Sequence, residues 1–280
     1  MNFFFASDLH GRRNRYDALC AAIRAEQPNV VLLGGDLFAG AFGGAFINDD
    51  LRPRLTSLAA DLGPNYPRVL LIFGNDDPRS MLPAIEPLQA LGLCEHIHDQ
   101  VVQLDDTTLC GYAFTPPSPF QLKDWERYDV SRYVDPGCVA PQDGRHSVTR
   151  PAADLAFGTI AADLQGLRAR LGRMERAIML FHGPPYKGNL DRAALDGKMV
   201  DHVPLDVHVG SIAIARFIEE HQPLLTLHGH IHESVRLTGS WQERRGGTFC
   251  FGGAHDGPEL ALVRFDSANL DAATRELIAP

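Results

Sequence analysis

Residues 3–11 read FFFASDLHG, a short aromatic and apolar run that stops abruptly at Asp8 and His10. The run predicts a buried β-strand, and the residues after it carry apolar side chains at the spacing of one face of a helix. The same succession returns at residues 30–36, VVLLGGD, and at residues 68–77, RVLLIFGNDD. A repeated order of strand, polar loop and helix is typical of an α/β protein.

The second half of the chain contains two more strands of this kind. Residues 177–181 are apolar and run into His182, and residues 224–227, LLTL, run into HGHIH at residues 228–232. Short strand-like pieces occupy residues 101–114. Closing strands are predicted at 235–237, 248–251 and 260–264.

No linker, internal repeat or low-complexity tract divides the sequence. We therefore expect residues 1–280 to form a single domain. Residues 115–150 are rich in Pro, Tyr, Trp and charged side chains and lack clear periodicity. This segment is predicted to be an insertion or lid rather than a separate domain.

The composition is that of an ordinary globular protein, with 45% hydrophobic and 22% charged residues. The longest apolar runs are far shorter than a membrane span, so no transmembrane helix is expected. The five cysteines are scattered without a CxxC pair, which favours reduced thiols and a cytoplasmic location. The net charge of −9 disfavours nonspecific binding to nucleic acid.

Five predicted strands each end at a polar signature that contains Asp, His or Asn. Open α/β sheets bind ligands at the carboxyl ends of their strands, so the five signatures are expected to converge on one site. Nitrogen and oxygen donors without a thiolate suit Mn, Fe or Zn, and this number of ligands suits two ions that share a carboxylate. The candidate metal ligands are Asp8, His10, Asp36, Asn75, His182, His230 and His232.

Each candidate has an ordinary alternative when it is considered alone. An Asp that follows a strand is usually a turn or cap residue, and an isolated histidine is usually a surface or core group. His228 directly precedes the last signature and is assigned to the strand end. The order of the signatures and their shared position at strand ends favour metal binding for the set as a whole.

The ordered series DLH, GD, GND, H and GHIH resembles the calcineurin-like metallophosphoesterases, over residues 3 to about 265. The stretches HGPPYKGNLD, HVGS and QPLLTLHGHIHES are similar to the Icc-related branch of that superfamily. The resemblance implies an α/β sandwich of two mixed β-sheets flanked by helices, with a binuclear site at its edge. It further implies one ion held by Asp8, His10, Asp36 and His232, and a second held by Asp36, Asn75, His182 and His230, with Asp36 as the bridge.

The activity that the resemblance implies is metal-dependent hydrolysis of phosphate esters, with a metal-bridging hydroxide as the nucleophile. A small-molecule substrate is expected, and phosphodiesters are included because nothing resembles a dedicated protein-phosphatase groove. The alternatives are a nucleotide or sugar-phosphate monoesterase and a metal-binding sensor or scaffold whose catalysis has decayed. A nuclease is disfavoured because the sequence contains no run of Lys and Arg. Nothing in the sequence indicates an oligomeric state.

One signature departs from the family pattern, because Asp76 stands where GNH has the histidine that is thought to protonate the leaving oxygen. Three hypotheses follow: Asp76 is protonated by a neighbouring group and acts as the acid, His208 supplies the proton, or the substrates need little protonation. Asn75, Arg12 and Arg79 are predicted to contact the phosphate oxygens.

Overall fold

Two six-stranded mixed β-sheets form the framework of the computed structural model, which describes residues 1–38, 40 and 43–279. The strands in chain order are β1 (Asn2–Ala6), β2 (Val30–Gly34), β3 (Arg68–Ile72), β4 (Glu95–His96), β5 (Val101–Leu104), β6 (Thr107–Tyr112), β7 (Ala177–Phe181), β8 (Met199–Val200), β9 (Val203–Pro204), β10 (Leu225–His228), β11 (Gln242–Arg245), β12 (Thr248–Gly252), β13 (Leu260–Asp266) and β14 (Asn269–Ile278). The α-helices are α1 (Arg13–Glu26), α2 (Gly43–Phe46), α3 (Arg52–Leu62), α4 (Leu82–Ala90), α5 (Ala152–Phe157), α6 (Ile160–Arg170), α7 (Ile212–His221) and α8 (Ser234–Thr238).

The two large sheets have similar topologies. The first has the strand order β14-β13-β1-β2-β3-β4, in which β1 to β4 are parallel and β13 and β14 join antiparallel. The second has the order β11-β12-β10-β7-β6-β5, with four parallel strands between antiparallel edge strands β11 and β5. The predicted sandwich of two mixed sheets flanked by helices is confirmed.

The sequence explains why the central strands lie in the interior. Every residue of β2 (VVLLG) and of β7 (AIMLF) is buried, as expected for parallel strands that are covered on both faces. The helices present apolar stripes to the same core, and α7 buries Ile214, Phe217 and Ile218. The Oγ of Ser211 accepts a hydrogen bond from the backbone N of Ile214 at 3.0 Å and caps this helix.

One expectation from the sequence is wrong, and one strand was not anticipated. Residues 235–237 are not a strand but lie in α8, which ends at Gly239 with a left-handed φ of 76°. Strand β14 was not predicted, because the Asn269–Ile278 sequence is mostly exposed and shows no apolar run. The three residues 235–237 are too few for their pattern to distinguish a short helix from a strand.

Residues 115–150, all of which the structure describes, form no regular helix or strand. The segment nevertheless packs closely on the sandwich, since Trp125 and Tyr128 are almost fully buried. Lys123 and Glu126 form an ion pair that is completely buried within it. Its role as a lid stays a prediction.

None of the helices in the described part of the chain has the length and apolar character that crossing a bilayer requires.

Candidate metal centre

Loops that follow neighbouring strands are joined by backbone hydrogen bonds at one edge of the sandwich. The N of Asp8 donates to Gly35 O at 2.9 Å and the N of His10 donates to Asp36 O at 2.8 Å, which joins the loops after β1 and β2. In the second sheet, the N of Gly229 donates to His182 O at 2.8 Å and joins the loops after β10 and β7. The parallel order of the strands therefore brings all five signatures to one place.

A first group of ligand atoms lies around the end of β1. One donor atom from each of four side chains lies within 4.8 Å of the others, and these side chains are Asp8, His10, Asp36 and His232. The Nε2 atoms of His10 and His232 are 3.0 Å apart, and His232 Nε2 is 3.2 Å from Asp8 Oδ1. Two imidazole nitrogens that face each other beside a carboxylate are a suitable donor set for a divalent cation.

A second group shares one residue with the first. Donor atoms of Asp36, His182 and His230 lie within 4.8 Å of one another. The Oδ1 of Asn75 is 3.0 Å from His182 Nε2, so the amide oxygen adjoins this group. Asp36 therefore belongs to both groups, and the structure brings together all seven residues that the sequence nominated.

Hydrogen bonds fix the orientation of the donor atoms. The Nδ1 of His182 donates to the carbonyl of Gly34 at 2.8 Å, so in the neutral ring Nε2 has the free lone pair that faces Asp36. The backbone N of His230 donates to Asp8 Oδ1 at 3.0 Å, and the backbone N of Asp76 donates to Asp36 Oδ1 at 2.8 Å. Both carboxylates are thus held by the main chain before any ion binds.

The charges of the site favour ionised carboxylates. Burial of Asp8 opposes its ionisation, but the hydrogen bond and charge of His232 hold the pKa of Asp8 below its usual range. Burial alone would lower the pKa of His182, but the charge of Asp36 raises it to about 10. Burial and the charge of His182 lower the pKa of His230 to about 3. A cation that binds here must therefore displace a proton from His182.

Four of the seven candidate ligands have backbone conformations that are unusual for residues other than glycine. The φ angles are 58° at Asp8, 48° at His10, 51° at Asp36 and 73° at His230. The left-handed region is sparsely populated by such residues, and it is found often at functional sites. The surrounding loops therefore hold these side chains in place at a conformational cost.

The residues after β3 combine a candidate ligand with a structural carboxylate. The buried carboxylate of Asp77 accepts hydrogen bonds from the backbone N of Leu37, Phe38 and Gly74 at 2.9 to 3.0 Å. Burial and the charge of Asp36 raise the pKa of Asp77 to about 7. Asp77 therefore ties the loop after β3 to the loop after β2.

Asp76 lies at the edge of the first ligand group. Its Oδ2 is 3.7 Å from His10 Nδ1, and its Oδ1 accepts a hydrogen bond from Asn75 Nδ2 at 3.3 Å. Burial and the charge of Asp36 raise its pKa, while about half of the side chain stays exposed. The carboxylate of Asp76 therefore lies beside a candidate ligand without being one of the grouped donor atoms.

The structure places the other predicted site residues elsewhere. His208 pairs through Nδ1 with Asp191 Oδ1 at 2.8 Å, and this partner is not a candidate ligand. The guanidinium of Arg12 is exposed and donates to Gly257 O at 3.1 Å. The guanidinium of Arg79 lies over the ring of Trp125, 4.1 Å from its centroid. None of these three contacts places a side chain among the candidate ligands, so their roles stay predictions.

Residues 1–234 match the sequence model of the calcineurin-like phosphoesterases. The chain therefore belongs to this family, and it is a phosphoric ester hydrolase of the metallophosphoesterase class.

Among solved structures, the protein is similar to TT1561 of Thermus thermophilus, with 14% identity, a TM-score of 0.61 and 99% of each chain covered. It is also similar to a dimetal phosphatase from Danio rerio, with 14% identity, a TM-score of 0.52, and 94% of this chain and 91% of that chain covered. At this identity the likeness shows a shared fold. Among curated proteins, none is similar to the chain in sequence.

Proposed function

We propose that the chain hydrolyses small-molecule phosphate esters, phosphodiesters included, at a centre for two divalent ions of Mn, Fe or Zn. The observation that carries this proposal is that two groups of ligand atoms share Asp36. Asp8, His10 and His232 complete one group, and Asn75, His182 and His230 complete the other.

When bound, two divalent ions in such a centre would supply the Lewis acidity that activates water and offsets the charge of the phosphoryl oxygens. The residues of the chain have the remaining tasks. Main-chain hydrogen bonds hold Asp8 and Asp36 in position. The Nδ2 of Asn75 would donate an N–H to a phosphoryl oxygen, and Asp76, whose carboxylate lies 3.7 Å from His10 Nδ1, would supply the proton to the leaving oxygen.

The experiment measures metal content and turnover together. Protein loaded with Mn²⁺ is expected to retain about two ions per chain and to hydrolyse bis(p-nitrophenyl) phosphate as well as p-nitrophenyl phosphate. Asp36→Asn is expected to lose both ions and at least 100-fold in kcat/KM, because it weakens both ligand groups at once. Asp271→Asn, at an exposed position on β14, serves as the matched control.

Other outcomes would support the alternatives. Two bound ions without turnover of any ester would favour a metal-binding sensor or scaffold. Hydrolysis restricted to monoesters would favour a nucleotide or sugar-phosphate monoesterase. Binding of single-stranded DNA at low salt would reopen the nuclease alternative.

A cytoplasmic location is also part of the proposal. All five cysteines are free, and four of them are buried, which is compatible with a reducing compartment. The test is alkylation of the denatured protein in cell extract, with and without prior reduction. The same number of thiols should be labelled in both cases, because no cysteine is in a disulfide.

A further inference from the structure

A cavity of about 440 Å³ lies against α6, and its lining includes none of the candidate metal ligands. The lining combines cationic and aromatic side chains, which include Arg79, Arg127, Arg150, His98, Tyr112 and Phe114. The volume is within the range of sites for small molecules.

Three guanidinium groups meet around one aromatic ring of the cavity. The Cζ atoms of Arg79, Arg127 and Arg150 lie 5.5, 4.6 and 5.3 Å from the centroid of Phe114. Arg79 and Arg150 both donate to the carbonyl of Asp124, each at 3.4 Å. Like charges gathered around one ring repel one another in a partly buried setting, so this arrangement favours a bound anion.

The acidic residues of the lining compensate only part of this charge. Asp154 pairs with both Arg127 and Arg150, and Asp163 Oδ1 accepts from Arg127 at 2.5 Å. Among the residues that the structure describes, no carboxylate forms an ion pair with the guanidinium of Arg79, although the buried Asp124 carboxylate, which accepts from the backbone N of Arg79 at 2.7 Å, offsets part of its charge. Burial and the charge of Arg150 lower the pKa of Arg79 to about 10, which leaves it charged at neutral pH.

His98 adds a further donor to the lining. Its Nδ1 accepts a hydrogen bond from the backbone N of Ala113 at 3.0 Å, so in the neutral ring the proton is on Nε2. Burial, together with the charge of His96, lowers the pKa of His98, so the neutral ring is the stable form. The cavity thus offers the Nε2–H of His98 and the terminal N–H groups of Arg79, of which only Nη2 makes a long hydrogen bond to Asp124 O, beside aromatic walls.

We propose that this cavity is a second anion site, which binds the phosphoryl group of free phosphate or of a small organic phosphate through Arg79, with Arg127 and Arg150 beside it. The planar guanidinium presents several N–H donors at once, and a tetrahedral phosphoryl group offers several oxygens to receive them. Tyr112 and Phe114 provide apolar walls for an organic substituent. The lining includes none of the candidate metal ligands, and binding there does not depend on hydrolysis.

The test is calorimetric titration of the metal-loaded full chain with inorganic phosphate and with phenylphosphonate, whose P–C bond an ester hydrolase does not cleave. The wild-type protein is expected to show two classes of binding site. Asp36→Asn should lose the class at the metal centre, and Arg79→Met should weaken the other class at least tenfold. Similar affinities for the two probes would identify free phosphate as the ligand, and tighter binding of phenylphosphonate would identify an organic phosphate.

A second variant blocks the cavity without removing a charge. Gly166 lies on α6 in the lining, and a Cβ at this position meets no atom within 4 Å, so Gly166→Leu adds a side chain at the cavity whose first atom has free space. Gly172→Leu is the matched control, since Gly172 has equal space and does not line the cavity. The proposal would be overturned if Arg79→Met and Gly166→Leu both kept the two classes of binding site. It would also be overturned if the wild-type protein had a single class of site and Asp36→Asn removed it. Far-UV circular dichroism establishes that each variant is folded.

Discussion

Asp76 is the residue at which this site differs from the family pattern GNH, and its carboxylate lies 3.7 Å from His10 Nδ1. If it protonates the leaving oxygen, Asp76→Asn affects esters according to their leaving groups. We expect kcat/KM to fall at least tenfold for alkyl phosphate esters and less than threefold for p-nitrophenyl esters, measured in parallel with metal content. Equal losses on both classes would exclude the acid role and leave Asp76 a positioning residue for His10.

The buried imidazole of His96 is expected to make the stability of the fold depend on acid pH. It packs edge-on against Phe73, with ring centroids 5.2 Å apart, and burial lowers its pKa to about 4 from an ordinary value of 6.5. As the pH falls below 6.5, the unfolded chain takes up a proton that folded His96 does not, so the free energy of unfolding declines until about pH 4.

His96→Phe is therefore expected to reduce this decline by about 2.5 kcal/mol at pH 4.5. The measurement compares urea unfolding of the variant and the wild type at pH 7 and pH 4.5. The exposed His202→Asn is the control and should follow the wild type. Parallel pH profiles for His96→Phe and the wild type would show that burial of this ring has no part in acid unfolding.

At the scale of elements, a glycine allows the loop after β10 to approach the loop after β1 closely. A Cβ at Gly229, in the loop after β10, would lie 2.0 Å from Ser7 Oγ and 2.6 Å from Asp8 Oδ2. Gly229→Ala is therefore expected to displace Asp8 and to reduce the metal content to less than half, at a cost of about 1–3 kcal/mol in the free energy of unfolding.

Gly172→Ala is the matched control, because a Cβ there meets no atom within 4 Å. Metal content measured by mass spectrometry and urea unfolding give the two readouts. Full metal content in Gly229→Ala would mean that the loop after β10 adjusts without moving Asp8, and the close approach would then have no functional importance.

The elements also show where sequence patterns suffice. Strands β2 and β7 were predictable because continuous apolar runs of this length require burial on both faces. Edge strand β14 was not predictable, because it forms by pairing with β13 and its own residues show no apolar run. The candidate ligands could be predicted because each follows the end of a strand. The left-handed φ of Asp36 could not be, because it depends on contacts between loops. The direction of Arg79 depends on Trp125, a residue of a distant segment.

At the scale of the whole molecule, the candidate centre lies where the two sheets meet. His230 of the second sheet donates from its backbone N to Asp8 of the first, and His182 Nδ1 donates to Gly34 O. Strand β1 pairs with β2 on one side and with β13, near the other end of the chain, on the other. Neither sheet alone carries all of the candidate ligands, so we expect metal binding to require the assembled sandwich.

The same reasoning applies to residues 115–150, which we propose to be an integral insertion of a single domain. Trp125 is almost fully buried, packs against Phe73 at a centroid distance of 5.9 Å and donates from Nε1 to Asp77 O at 2.8 Å. Asp129 binds the N-terminus of α7, with the backbone N of Ile212 donating at 2.7 Å. Detachment of the segment would break contacts with both sheets' loops.

We therefore expect the segment to unfold together with the sandwich. The chain has two tryptophans, so Trp241→Phe leaves Trp125 as the sole tryptophan, observed by selective excitation of indole, and Trp125→Phe leaves Trp241 near β11 as the matched control. In urea, the fluorescence midpoints of both variants should each coincide with their midpoint from far-UV circular dichroism. A change in Trp125 fluorescence at lower urea than the loss of secondary structure would instead show that residues 115–150 open as a separate lid, because only a segment with weak contacts to the core can leave it before the core unfolds.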